Sequence, residues 1–283
     1  MTDNKYEYIG SRKHRTLVGS ESNSPWDQAA AHRAHVLKLL RRHDEGRKGM
    51  ICVWGVGDGT ALDLQALLDR HHEVHLVDRE PDRIKQIIDA QEVTDPHRIR
   101  RFGVDVGGVH DLLARYASEA DDQLLEQINE TIVNQKLPNL GDFEVIVSLS
   151  QLSRLTRHLS RCLGTDSETA LQPLVQLRQR HLELLVEHTR PGGNAVLVTD
   201  LVSSRTLPEL LAAPVNLNEV LNEAFAANNF YPGIHPGNVD DVWMKHERFE
   251  NKFDAVNVSK PWLRPEGDAV VATMAYRVTL KGE

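Results

Sequence analysis

The sequence predicts a doubly wound α/β fold whose sheet is mostly parallel, and three observations lead there. Between Ile51 and Thr199, short apolar runs alternate with longer amphipathic stretches. Such alternation implies a parallel sheet covered by helices on both faces. Closely spaced glycines fall where the first apolar run gives way to a helical pattern. Near the end, two strand-like segments are joined by a short connection that contains Pro265-Glu266-Gly267-Asp268, a turn, and so short a link means an antiparallel pair because parallel strands need a longer crossover. The expected sheet has seven strands, the last of them antiparallel.

In chain order, residues 1–23 are polar and show no sustained period, so they read as an arm, with one domain over 24–283. Ser24-Pro25-Trp26-Asp27 starts a helix: Ser caps, Pro suits the first helical position, and Asp reaches back to the cap. That helix is expected to run to Arg42. Apolar runs at Ile51–Trp54, Val74–Val77, Ile99–Val104, Val145–Ser148 and Ala195–Thr199 read as buried strands. Helical patterns cover Ala61–Leu68, Pro81–Ala90, Asp121–Val133 and Glu168–His188, with shorter ones at Leu207–Ala212 and Asn216–Ala227. A loop rich in Pro, Gly and His follows over Tyr231–Val239, then strands at Phe253–Val258 and Ala269–Leu280.

Composition narrows the function classes. In 283 residues, 40% are hydrophobic and 26% charged, the balance of an ordinary globular chain. No apolar stretch is long enough for a membrane helix, and the first residues lack the apolar core of a secretory signal. Cys52 and Cys162 stand far apart, arguing for a reducing, cytoplasmic setting. A net charge of −8, with only short basic clusters, does not favour nucleic acid as a partner. His71-His72-Glu73-Val74-His75 is the densest histidine cluster, but it leads into a strand, where His72 and His75 point to opposite faces. No metal site is expected.

The segment richest in chemistry is Gly55-Val56-Gly57-Asp58-Gly59. Glycines at a strand-to-helix turn let the main chain approach a ligand with no Cβ in the way, and the next helix aims free N–H groups at it. Nineteen residues after Gly59, Asp78 ends the next strand, where nucleotide folds place a carboxylate on the ribose hydroxyls. Asp105 ends the third. Three successive strand ends thus converge on the crevice where open α/β sheets bind ligands.

The dinucleotide fingerprint needs a third glycine where this chain has Thr60, and the extra glycine comes one place earlier, at Gly59. That spacing resembles the first motif of the class I S-adenosylmethionine-dependent methyltransferases, and the resemblance extends from Ile51 to Thr199. It implies S-adenosylmethionine as cofactor, with Gly55, Gly57, Asp58 and Gly59 forming its cradle. Asp78, beside Arg79, matches the ribose-binding acid, and Asp105 with Val106 matches the residues bordering adenine. Phe143–Ser148 looks like the fourth strand, putting Ser148 and Leu149 on the cofactor and Ser150 on the acceptor side of the sulfonium. Val53 departs from the pattern, which usually has an acid there. The fourth strand also ends without the Asn/Asp-Pro-Pro-aromatic motif of many enzymes acting on amino groups or nucleic acids.

On the acceptor side, Asp200, His235 and His246 are the candidate catalytic groups, because they follow the fifth strand or lie beyond it. Trp243 and Trp262 are candidates to stack on an acceptor. Arg33 is a candidate partner for the cofactor carboxylate. The expected activity is therefore methyl transfer to a small molecule. The alternatives are a non-catalytic S-adenosylmethionine-binding regulatory protein and an enzyme resembling the polyamine aminopropyltransferases, although the Asp-rich motif of the latter is replaced here by Ser148-Leu149-Ser150-Gln151. A nicotinamide-dependent oxidoreductase is disfavoured by Thr60.

Overall fold

Strands and helices alternate as the hydrophobic pattern requires. A computed structural model describes residues 24–40, 49–118, 122–164, 168–212 and 216–282. The arm expected over 1–23 and the far end of the first expected helix, residues 41 and 42, lie outside them. The parallel strands are β1 (Met50–Trp54), β2 (Glu73–Asp78), β3 (Ile99–Gly103), β4 (Phe143–Leu149) and β5 (Thr189–Ser203). The first four keep close to the apolar runs that mark them, whereas β5 starts six residues before Ala195 and ends four after Thr199. β6 (Phe253–Val258), β7 (Trp262–Glu266) and β8 (Ala269–Leu280) complete the sheet.

The sheet order is β3-β2-β1-β4-β5-β8-β6, with β7 also paired to β8. β8 is antiparallel to β5, β6 and β7. The sheet therefore has eight strands rather than the expected seven. β6 pairs with the end of β8 and β7 with its start, so one edge position holds two strands broken at residues 259–261. Pro265 is tolerated in β7 because an edge strand need not donate a hydrogen bond outward.

Helices cover both faces. Before β1 stand α1 (Pro25–Gln28) and α2 (Ala30–Leu39), a single expected helix broken at Ala29; Ser24 caps α1 by accepting from Asp27 N–H. α3 (Leu64–Arg70) starts three residues later than its pattern suggests, because Asp63 accepts from Ala66 N–H and fixes the cap there. α4 (Pro81–Ala90) has its expected bounds. Between β3 and β4 lie α5 (His110–Ser118) and α6 (Asp122–Asn134); between β4 and β5 lie α7 (Gln151–Leu163) and α8 (Glu168–Glu187). α9 (Leu217–Ala226) precedes α10 (Pro236–Lys245), which begins inside the expected loop because His235 caps it and Pro236 suits its first turn.

Successive β1 residues divide between two cores. Ile51 and Val53 pack with Val36, Leu67, Ile84 and Ile87 from α2–α4, whereas Cys52 and Trp54 pack with Leu182, Leu185 and Trp243 from α8 and α10. Each large aliphatic side chain buried this way contributes about 1.5–3 kcal/mol. A third cluster joins α5, α6, α7 and α8 through Leu113, Ile128, Leu159 and Leu177. Among the described residues, no helix is long and apolar enough to cross a membrane.

Candidate active site

Crossovers leave β1 in one direction and β4 in the other, so a crevice opens between their carboxyl ends. A pocket of about 320 Å³ fills it. Its floor is the glycine loop (Gly55, Val56, Gly57, Asp58) with Leu149 and Ser150; one wall is Gln28, Ala29 and His32, another Arg264 to Gly267, and Arg83 and Arg154 reach in between. Its size falls in the range of small-ligand sites.

The loop is built by its glycines. Gly55 has φ +81°, a conformation costly for a residue with a Cβ. A Cβ there would press on Arg154 Nη2 and on Gln151, so the guanidinium keeps its place over the loop because Gly55 is bare. Gly57 N–H donates to Asp78 Oδ2 at 3.2 Å, tying the loop to the end of β2. Gly59 serves packing: a Cβ would meet Ile87 Cγ2 at 2.5 Å, so this glycine lets α4 approach. Asp58 Oδ1 accepts from both the main chain and the hydroxyl of Thr60, closing the turn.

Of the residues expected to form the site, Gly55, Gly57, Asp58, Leu149 and Ser150 line the pocket. Asp78 touches it through Gly57. Arg79 is exposed and pairs with Glu80. Asp105 accepts from Gly107 and His110 N–H groups, which stabilises the start of α5, and Val106 is buried in the core. Ser148 turns to the opposite face, 2.7 Å from His181 Nε2. Arg33 stacks on Trp26 and donates to the Thr60 carbonyl, bracing the far end of the loop.

The acceptor-side candidates are not brought together. His235 and His246 each cap a helix, accepting from Gly237 and Arg248 N–H. Trp243 packs in the core against Phe249 and Phe253. Trp262 stacks on His35 behind the pocket wall and donates to His32 Nδ1 at 3.0 Å. Asp200 is fully buried, at a bulge in the β5–β8 pairing. It accepts two hydrogen bonds from Arg264 and others from Ser150, Ser153 and Thr273. Burial pushes its pKa up, but the charge and hydrogen bonds of Arg264 more than reverse this and hold it below the ordinary carboxylate value.

Residues the sequence did not single out contribute most of the pocket's charge. Arg154, on α7, donates Nη2 to the carbonyls of Gly55 (2.7 Å) and Leu149 (3.1 Å). Arg264 joins Asp200 to Glu266, and Glu266 faces Arg157 at 3.8 Å. His32 is buried, and desolvation, helped by the Arg264 charge, lowers its pKa to about 4. Its ring is therefore neutral near pH 7, and because Nδ1 accepts from Trp262, the proton sits on Nε2. No group of three or more His, Cys, Asp or Glu side chains suited to a metal occurs among the described residues.

The mixed sheet, parallel through β5 and closed by antiparallel strands, matches the arrangement that the sequence resemblance implies. No family model matches the chain. No curated protein matches it. Among solved structures, the chain is similar to the N-methyltransferase NodS from Bradyrhizobium japonicum WM9, at 12% identity and TM-score 0.42, over 92% of this chain and 99% of that one. NodS has also been solved with S-adenosyl-l-homocysteine, where the likeness spans 93% and 94% of the two chains at the same identity and TM-score. A putative methyltransferase from Bacillus halodurans is similar at 8% identity and TM-score 0.44, over 88% of this chain and 100% of that one.

Proposed function

We propose that this chain is an S-adenosylmethionine-dependent methyltransferase acting on a small-molecule acceptor. One observation carries the reading: Gly55 and Gly57 open bare main chain into the pocket at the β1/β4 reversal, and the Asp78 carboxylate is hydrogen-bonded across that loop. The residues fit an adenosyl ligand, because Gly55 and Gly57 line the pocket with main chain that carries no Cβ. In this reading Gly55 and Gly57 hold the ligand through the main chain, Asp78 accepts from its ribose hydroxyls, and Leu149 and Ser150 border the reacting end.

The sulfonium cofactor supplies an already activated methyl group, so the protein contributes positioning and water exclusion. A base is required only where the acceptor must lose a proton. His235 and His246 stand away from the pocket, so neither is assigned that role. Asp200 is assigned a positioning role, holding Arg264 in the pocket wall through two hydrogen bonds. Ser150, at φ +51°, turns the chain from β4 into α7 and donates to Asp200, which joins floor to wall. The protonated Nε2 of His32 makes this side chain a donor toward a pocket ligand.

Thermal-shift measurements with S-adenosylmethionine, S-adenosylhomocysteine and NAD test the reading. The two adenosyl ligands are expected to raise the melting temperature and NAD is not; stabilisation by NAD alone overturns it. Transfer of a labelled methyl group into a metabolite extract then tests for an enzyme, and no labelled product argues for a binding protein instead.

A further inference from the structure

Three guanidinium groups gather at the β4–β5–β7 corner: Arg154, Arg157 and Arg264. Two carboxylates face them. Asp200 pairs with Arg264 at 2.7 Å, and Glu266 reaches Arg264 at 2.9 Å and Arg157 at 3.8 Å. Arg157 also donates to the Tyr231 hydroxyl. Arg154 is the one left over: among the described residues no carboxylate lies within ion-pair distance of it. Its Nη2 is taken up by two main-chain carbonyls, and its Nε is buried with no partner. A part-buried cation held this way is costly unless an anion completes it.

Its position says which anion. Nη1 lies 3.0 Å from where a Gly57 Cβ would be and Nη2 2.4 Å from that of Gly55, so the guanidinium lies flat along the glycine loop and borders the pocket. Asp78 grips the same loop from β2, on one side of β1, while Arg154 comes from α7 and touches Leu149 at the end of β4, on the other. A ligand crossing the loop therefore meets an acceptor of hydroxyl protons at one end and a guanidinium at the other.

We propose that Arg154 is a binding residue for a carboxylate, the one at the amino-acid end of the adenosyl ligand. The inference rests on the cofactor reading above and adds how that end is recognised: by charge pairing through its carboxylate rather than through its amine. Of the pocket's acids, Glu266 is paired with Arg264, and Asp58, charged beside neutral Thr60, is exposed, so that pairing it with the amine is worth little. With Nη2 taken up and Nε buried, Nη1 is the donor left for a ligand, and a carboxylate suits it because the hydrogen bond is charged on both sides.

The test is calorimetric titration of the full chain with S-adenosylhomocysteine, its decarboxylated analogue and its deaminated analogue. Removing the carboxylate is expected to weaken binding by about tenfold or more, and removing the amine by less than about threefold. In Arg154→Gln the penalty for decarboxylation is expected to vanish, and in Arg154→Lys to persist in part. If the Gln variant does not fold, the wild-type ratios and the Lys variant decide. Equal wild-type affinity for S-adenosylhomocysteine and its decarboxylated analogue overturns the Arg154 assignment and leaves the cofactor reading standing. A decarboxylation penalty unchanged in the variants does the same. Absence of S-adenosylhomocysteine binding overturns both.

Discussion

Asp200 and Arg264 meet side-on in a buried ion pair, Nε to Oδ1 at 2.9 Å and Nη2 to Oδ2 at 2.7 Å. The carboxylate sits on a parallel strand end and the guanidinium on the edge strand β7, so the pair fastens the last part of the sheet to the pocket wall. Removing one partner strands the other charge, and Asp200→Ala is expected to cost about 3–5 kcal/mol of unfolding free energy. Asp200 is held below its ordinary pKa in the fold. Its contribution is therefore complete above the unfolded value of 3.8 and is lost as pH falls through the lower, folded value. Urea unfolding of wild type and Asp200→Asn at pH 7 and pH 3 checks this: the gap between them should narrow in acid.

Two buried histidines set a second pH window. Desolvation lowers the pKa of His181 to about 3, and desolvation with the Arg264 charge lowers that of His32 to about 4, each from 6.5. The unfolded chain binds protons first, so the stability these neutral rings contribute is complete above pH 6.5. It drains away as pH falls toward the folded values. For His32 alone the loss is on the order of 3 kcal/mol. NMR titration should find both rings neutral at pH 5.5; a midpoint near 6.5 for either contradicts the burial argument.

The glycine loop and the parallel strands were legible in the sequence because strands buried on both faces read as unbroken apolar runs. The placing of Arg154 and Arg264 in the pocket was not. Helix α7 carries a clear stripe at Leu152, Leu155, Leu159 and Leu163, but a stripe marks the buried face and gives no sign that Arg154 reaches back to the Gly55 carbonyl. Strand β7 contains Pro265 and reads as a turn, because the property that lets it be a strand, an edge position, is set by topology rather than local sequence. Asp200 looks like a free strand-end acid until Arg264, 64 residues on, is placed beside it.

Gly55→Ala and Gly59→Ala should separate binding from packing. Both residues have positive φ, near 80°, so each substitution carries backbone strain of roughly 1–3 kcal/mol. At Gly59 the new methyl also strikes Ile87 Cγ2 at 2.5 Å, deep under α4, which adds about 1–3 kcal/mol of overpacking. At Gly55 the obstacle is the far end of a flexible arginine, which can swing out toward the pocket and obstruct it. Gly59→Ala should therefore lose more in thermal stability, and Gly55→Ala more in affinity for S-adenosylhomocysteine. Equal loss of affinity in both would remove the distinction between cradle and packing glycines.

Asp78 offers the most direct measurement of the cofactor reading. Its Oδ2 holds Gly57 N–H at 3.2 Å and its Oδ1 lies 3.4 Å from Glu80 N–H, so the carboxylate is positioned by main chain on two sides and keeps acceptor capacity for ligand hydroxyls. Asp78→Ala removes hydrogen bonds to a charged acceptor and is expected to weaken S-adenosylhomocysteine binding by about 1.5–3 kcal/mol. Asp78→Asn keeps an acceptor oxygen without the charge and should lose less. Because the loop leans on the same carboxylate, the thermal midpoints of both variants must be measured with the titrations. A folded Asp78→Ala protein with wild-type affinity would place the ligand somewhere other than across this loop.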